Sequence, residues 1–289
     1  MRNKIMLVDG MALLFRAFYA TSVHGNFMRR SDSTPTNGIH GLVKHLLYAS
    51  QNFKPTHTII CWDMGSETFR TEAYENYKAN RGAPPEELIP QFDLAKEVVA
   101  QLNIPNIGYK GYEADDCIGT LAAAYKEAHD VLVLTGDTDL LQLVDETVHV
   151  ALLRKGLGNY EVYDPATFVE AKGINASQLV DVKALMGDSS DNYPGVKGIG
   201  EKTAYKLIQE HGTVDTLLEN VDSLTKGQRT KILECLDDLH MSRELAAIYC
   251  EVPIECSLEK AVHEVDEERI EAVIRAMEWK RGEQFLQLL

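Results

Sequence analysis

No stretch of the 289 residues is apolar for anything near the length of a membrane span. The first apolar run stops at Asp9, too early for a secretory signal. Nine histidines occur, none in the H-x-x-x-H spacing of a zinc pair, and the five cysteines (Cys61, Cys117, Cys235, Cys250, Cys256) include no C-x-x-C. Zinc and disulfide frameworks are therefore not expected; reduced thiols and a cytoplasmic setting are. Positive charge is also short: 29 Lys and Arg face 44 Asp and Glu, a net charge of -15. That balance argues against a uniformly basic surface but not against local basic patches, which are what bind nucleic acid. Apolar content of 45% is enough for a sizeable core in one large or two modest domains.

What is present is acid in particular places. Asp9 follows Ile5-Met6-Leu7-Val8, Asp63 follows Thr58-Ile59-Ile60-Cys61-Trp62, and Asp137 and Asp139 follow Val131-Leu132-Val133-Leu134. Glu113, Asp115 and Asp116 open a helix-like run, and Asp188 and Asp191 follow Lys183-Ala184-Leu185-Met186. Short apolar runs of this kind read as buried strands of a parallel sheet, and such sheets collect ligands at the carboxyl ends of their strands. Any one of these acids alone is more simply a helix cap or a solvated turn. As a set placed at strand ends and helix starts, they point to one site. Two carboxylates about 4 Å apart repel by roughly 4 kcal/mol at an effective dielectric of 20. Oxygen-only donors favour Mg²⁺ or Mn²⁺, and two such ions suit in-line displacement at phosphorus. The acids by themselves predict phosphodiester or phosphomonoester hydrolysis.

The pattern along the chain predicts strands at Lys4–Val8, His57–Trp62, Ile104–Tyr109 and Val131–Leu134, and a hairpin of Val148–Leu153 with Asn159–Val162. Helices are expected at Met11–Tyr19, Gly38–Asn52, Pro90–Leu102, Glu113–Ala128 and Leu140–Val144, with a polar loop over Thr21–Asn37. After Pro165 short helices dominate, among them Gly227–Asp237 and Ser242–Tyr249. The expected organisation is an α/β core over residues 1–180 and a helical region over 181–289. A polar connection, 64–90, interrupts the core. It carries Arg70, Tyr74, Tyr77, Lys78 and Arg81 and ends in Pro84-Pro85. Long weakly apolar connections in compact domains are usually functional or disordered. A helix here would project Lys78 and Arg81 one way to grip phosphates, and aromatic side chains can stack on unpaired bases; an ordinary exposed helix fits the same residues.

Gly195-Val196-Lys197-Gly198-Ile199-Gly200-Glu201-Lys202-Thr203 is neither a P-loop nor a dinucleotide fingerprint. Glu201 stands where a P-loop needs Lys, Thr203 where the dinucleotide motif needs glycine, and no strand precedes. It reads as a tight turn between helices, about 185–212. The backbone there can approach a phosphate held by amides of the next helix and by Lys197, Lys202 and Lys206. A plain corner with a solvated basic face is the competing reading. The basic stretch Lys226–Lys231 is as readily solvated surface as a DNA contact.

Together these residues resemble the 5′ nuclease (flap endonuclease) family, in particular the 5′–3′ exonuclease domain of bacterial DNA polymerase I. The resemblance rests on Val8-Asp9-Gly10, Trp62-Asp63, Tyr77-Lys78-Ala79-Asn80-Arg81, Gly111-Tyr112-Glu113-Ala114-Asp115-Asp116, Thr135-Gly136-Asp137-Thr138-Asp139-Leu140, Gly187-Asp188-Ser189-Ser190-Asp191-Asn192 and Pro194–Gly200, in that order. It implies a PIN-like nuclease core with a central, mostly parallel sheet, and a C-terminal helix–hairpin–helix-type module that grips duplex phosphates. It implies one metal at Asp9, Asp63, Glu113 and Asp115, and a second at Asp115, Asp137, Asp139 and Asp191, with Asp116 and Asp188 as additional acids acting through water. The connection 64–90 would be a helical arch over a 5′ single strand. There Lys78 and Arg81 would contact the scissile phosphate region as catalytic residues, and Tyr77 would stack a base. Lys197, Gly198, Gly200, Lys202 and Lys206 would bind DNA, with K⁺ near Val196 and Ile199.

The expectation is a Mg²⁺- or Mn²⁺-dependent hydrolase that cleaves 5′ flaps and trims 5′ ends. It would act on branched DNA and RNA–DNA primer junctions in replication and repair, as a cytoplasmic monomer with no membrane partner. No polymerase domain follows Leu289, so a stand-alone enzyme or a fragment is expected. The alternatives are a non-catalytic binder of branched DNA and a PIN-type ribonuclease.

Overall fold

The computed structural model describes residues 2–22, 25 and 27–289. Six strands form one sheet in the order β3-β2-β1-β4-β5-β6. They are β1 Lys4–Asp9, β2 His57–Cys61, β3 Asn106–Ile107, β4 Asp130–Thr135, β5 Val148–Leu153 and β6 Tyr160–Tyr163. All neighbours pair parallel except β5 with β6, the expected hairpin. Among and around them run α1 Gly10–Thr21, α2 Asn37–Phe53, α3 Phe69–Ala73, α4 Ile89–Gln101 and α5 Ala114–Tyr125. Then come α6 Pro165–Lys172, α7 Leu179–Met186, α8 Glu201–His211, α9 Val214–Glu219, α10 Lys226–Glu234, α11 Leu236–Ala246, α12 Glu267–Ala276 and α13 Glu283–Leu286.

Alternate residues of each strand face opposite sides, and each side has its own core. Ile5, Leu7, Ile59, Val131 and Val133 pack with α5 and with helices of the C-terminal part, through Leu185, Leu207 and Leu217. Met6, Val8, Ile60, Leu132 and Leu134 pack with α1, α2 and α4. Strands buried on both faces are why the sequence runs are continuously apolar rather than alternating. The second core also takes Ile270, Val273, Met277, Trp279 and Phe285. The last two helices therefore cross to the face opposite α7–α9, whereas the sequence groups 181–289 as one helical region. The apolar stripe of α12 closes the α1–α2–α4 layer.

Three elements depart from expectation. The connection 64–90 is not a helical arch: before α4 starts at Ile89 its only helix is α3, and residues 75–80 are turns. Lys78 has φ 55°, outside the helical region, and the Pro84-Pro85 pair that follows Gly82 breaks any continuation. The helical run predicted to end at Asp237 breaks at Cys235, and α11 starts at Leu236, carrying Leu239, Ser242, Leu245 and Ala246 into the interior. Leu140–Val144 is a 3₁₀ turn, Asp139–Leu143. In the polar loop expected over Thr21–Asn37, residues 23, 24 and 26 lie outside the described residues.

Gly10 carries the close approach of α1 to β2. A Cβ there would stand 2.7 Å from both Ile60 Cγ2 and Trp62 Cε3. Gly10→Ala is expected to lower stability by about 1–3 kcal/mol, the usual cost of overpacking, read as a drop in the thermal midpoint followed by Trp fluorescence. An unchanged midpoint would show that Trp62 has room to move.

Candidate active site

Strand register brings the acids together. Asp9 pairs with Cys61, two residues before Asp63. Val8 pairs with Leu134, so Asp9 lies beside Thr135, whose hydroxyl donates to Asp9 Oδ2 at 2.8 Å. Asp9 also caps α1, its Oδ1 accepting from Ala12 N at 2.9 Å. Asp63 reaches across to α5, where Ala114 N donates to it at 2.7 Å. Glu113 caps α5 and Asp115 follows in its first turn, where the helix dipole favours negative charge. Asp137 leaves β4 and takes the amide of Asp139 at 2.8 Å.

These side chains sense one another. Burial, with the charges of Asp63 and Asp137 behind it, pushes Asp9 up to about 7 against its hydrogen bonds from Ala12 and Thr135. Burial and the charges of Asp137, Asp9 and Glu113 hold Asp115 well above the carboxylate range. Burial, then the charge of Glu113, raises Asp63. Asp9, Asp63, Glu113, Asp115 and Asp137 thus stand near enough at the carboxyl ends of the strands and the start of α5 for their charges to act on one another. Among the described residues no three such side chains close around a single point, so the acids form a lined hollow rather than a finished cage.

The chain's own cations reach into its rim. Lys78 Nζ donates to Glu113 Oε1 at 2.6 Å and lies 3.9 Å from Asp191 Oδ2. Arg81 Nη2 donates to Asp191 Oδ1 at 2.6 Å. The backbone joins in: Lys78 N donates to the Asp191 carbonyl at 2.8 Å, and Asn80 Nδ2 to that of Ser189 at 2.8 Å. The two charges converge although no helix carries them. The connection covers a cleft of about 770 Å³ that includes Asp63, Lys78, Arg81 and Glu113, with Phe15 and Phe92 on its apolar wall.

Deeper in, Lys183 is buried between Asp139 and Asp188; its Nζ pairs with Asp139 and donates to Asp188 Oδ2 at 2.7 Å. Burial and the charge of Asp137 lift Asp139 to about 6. Although burial opposes it, Lys183 and Ser190 hold Asp188 at about 2. Sequence reasoning assigned no role to Lys183. Its signal was a lone cation inside the apolar helix Leu179–Met186.

Two expected roles are not available. Asp116 is fully buried, and its oxygens accept from Arg70 Nη1 and Nη2 (2.8 Å each), Glu113 N (3.0 Å) and Tyr249 N (2.9 Å). Those four bonds occupy the oxygens of a carboxylate, so Asp116 cannot also hold an ion or its water. Tyr77 is 4% exposed and its hydroxyl donates to Glu113 and Asp191 at 3.1 and 3.2 Å. Its ring lies under the Lys78 ammonium, 4.9 Å from the ring centre, and presents no open face for a base in this arrangement. Arg70, the partner of Asp116, further donates to the carbonyls of Leu245 and Ala247 at 3.0 and 2.7 Å. It ties the basin to the end of α11, and no spacing in the sequence announced it.

The glycine-rich turn joins α7 to α8. Lys197, Gly198, Gly200, Lys202 and Lys206 are exposed, whereas the side chains of Val196 and Ile199 are buried in the core. Gly187 and Gly195, both at positive φ, meet backbone to backbone: a Cβ on Gly195 would stand 2.2 Å from Gly187 N. Close approach, rather than a strand, is what the glycines serve.

Oxygen-only donors that repel one another, Asp9 and Glu113 buried, Asp63 and Asp115 half-buried and Asp137 exposed, fit divalent ions. A carboxyl raised in the folded state favours folding while protonated, and that contribution is lost as pH rises from its ordinary value toward its folded one. In EDTA the thermal midpoint is therefore expected to fall between roughly pH 4 and pH 7. Asp9→Asn should flatten that fall. The shift of Asp9 corresponds to roughly 4 kcal/mol, and an Asp9→Asn profile identical to that of the parent would remove the repulsion argument.

The chain matches known proteins along its length. The family described as 5′-3′ exonuclease, N-terminal resolvase-like domain, matches residues 4–173, and 5′-3′ exonuclease, C-terminal SAM fold, matches 174–268. A 5′-3′ exonuclease of Bacillus subtilis (strain 168) is 58% identical over 287 residues, covering 99% of this chain and 97% of that one. DNA polymerase I of the same organism is 40% identical over 259 residues, 89% of this chain but 29% of the polymerase. Among solved structures, T5 5′-exonuclease with divalent metal ions (zinc) bound has a TM-score of 0.66 at 22% identity, covering 98% and 97% of the two chains. The catalytic core of Rad2 in complex with DNA substrate has a TM-score of 0.63 at 16% identity, covering 100% and 92%. With both of its parts matched and a relative this similar end to end, the chain belongs to the 5′–3′ exonuclease family of DNA-hydrolysing enzymes.

Proposed function

We propose that this enzyme is a divalent-cation-dependent, structure-specific 5′ nuclease that cleaves 5′ flaps and trims 5′ ends. The observation that carries the reading is the basin itself: carboxylates from three strand ends and one helix start, crowded beneath a cationic connection. Family membership sets aside a non-catalytic DNA binder and a PIN-type ribonuclease. Mg²⁺ or Mn²⁺ would be held by Asp9, Asp63, Glu113 and Asp115 and by Asp115, Asp137, Asp139 and Asp191, with Asp188 acting from behind Lys183. Bound there, such ions supply an activated water and stabilise the leaving oxygen.

The chain's own residues do the rest. Lys78 and Arg81 are paired with Glu113 and Asp191. Ions taking up those carboxylates would release both side chains toward the incoming phosphate. The exposed turn with Lys197, Lys202 and Lys206 would hold duplex phosphates, positioning without reading sequence. The expected K⁺ near Val196 and Ile199 meets an ammonium already in place. Lys231 Nζ donates to the Gly198 carbonyl at 2.9 Å, so the chain already sets positive charge against the turn. The substrates fit Okazaki primer removal and excision repair, with the protein acting as a cytoplasmic monomer; among the described residues no helix is long and apolar enough to cross a membrane. The part up to about 180 would carry the chemistry, and the helices after it the grip on duplex.

Asp137→Ala is expected to abolish cleavage of a labelled 5′-flap duplex in Mg²⁺ while binding of the flap, followed by anisotropy, persists. Full activity in that variant would end the two-ion reading. Lys78→Ala should lower kcat by roughly 10²–10³, the scale for losing one charge stabiliser, with little change in duplex affinity. Equal losses in both would reassign Lys78 to binding.

A further inference from the structure

A second groove, of about 650 Å³, opens between α1, α2 and the turn joining β5 to β6. Because β5 runs parallel to β4, that turn leaves the sheet at the same edge as the acids. The charged groups lining the groove are of one sign: Arg16, Lys44, Arg154 and Lys155, with no Asp or Glu, in a chain of net charge -15. Arg154 is committed to Glu161. Arg16 donates to the carbonyl of Arg154, and Lys44 Nζ to Gln284 Oε1 at 2.8 Å. Both bonds go to neutral oxygens and leave the charges uncompensated; burial and the neighbouring Arg154 depress the Arg16 pKa.

An independent observation lies in the wall. His45 is 4% exposed and lines the groove, yet its Nδ1 has no hydrogen-bond partner among the described residues. Burial, with Arg16 nearby, holds it neutral, at about 4. A buried polar atom without a partner is costly, and this one belongs to a residue in the wall of a cationic hollow. Thr21 and His40 add polar groups to the wall, and Ala17, Ala20, Leu153 and Leu157 supply its apolar part, Leu157 being 44% exposed.

We propose that this groove is a phosphate-binding site separate from the acid basin, taking one nucleotide with its phosphate among Arg16, Lys44 and Lys155 and its ring against Leu157. An anionic phosphate relieves the repulsion among the cations and makes charge-assisted hydrogen bonds with them. The inference deepens the 5′-nuclease reading: the nucleotide is either a released mononucleotide or one residue of the DNA strand bound beside the cut.

Titration calorimetry with deoxythymidine 5′-monophosphate in EDTA keeps ion-bridged binding at the acid basin out of the measurement. Anisotropy with a flapped duplex, also in EDTA, forms the second arm. The parent, Asp137→Ala and Arg16→Ala/Lys155→Ala proteins are compared, with Lys155→Glu as a single surface variant should the double variant fold poorly. A mononucleotide affinity that is equal in the parent and Asp137→Ala, and at least roughly ten-fold weaker in the groove variants, identifies a free-nucleotide site. No mononucleotide binding, with a similar loss for the duplex in the groove variants alone, identifies a strand contact. Groove variants that match the parent in both arms overturn the proposal. Loss of cleavage in Asp137→Ala is read separately, so failure of the nuclease reading and failure of the groove remain distinct.

Discussion

Mutual repulsion among crowded carboxylates at one sheet edge is the constraint around which this molecule is arranged. Asp9, Asp63 and Asp115 sit where burial and neighbouring charge both oppose ionisation. The compensations come from every side: amides of Ala12 and Ala114, the Thr135 hydroxyl, and the cations Lys78, Arg81 and Lys183. Each is a hydrogen bond to an anion, the stronger kind. Under the proposed function these three cations are also the groups that would yield as an ion or phosphate takes their carboxylates.

Much of this was legible in the order of residues. Apolar runs ending in acid announced a parallel sheet with a site at its carboxyl edge, because burial on both faces leaves no alternation to confuse the reading. The hairpin and the glycine turn between two helices were equally plain, since turn chemistry and helical periodicity are local. What stayed hidden was non-local. Nothing within 64–90 says that Lys78 adopts a left-handed conformation and that the segment folds against the loop at 188–192. The pairing of Arg70 with Asp116 spans 46 residues, and a lone Arg has no periodic signature.

Motif likeness and geometry also diverge at two positions. Asp116 and Tyr77 both stand within matched motifs, yet one is saturated by backbone amides and a guanidinium, and the other turns its hydroxyl inward onto two carboxylates. Both organise the residues beside them. A shared motif can thus preserve a scaffold as well as a reactive group.

Arg70 spans the two parts of the chain. Its guanidinium, 2% exposed as a residue, binds Asp116 at the start of α5 and carbonyls at the end of α11. Sliding one layer past the other would strand a buried charge, a loss of several kcal/mol. The sheet and the helices behind it should accordingly open to solvent in concert, with amide exchange at Ala114–Tyr125 and Leu236–Ala246 sharing one opening free energy.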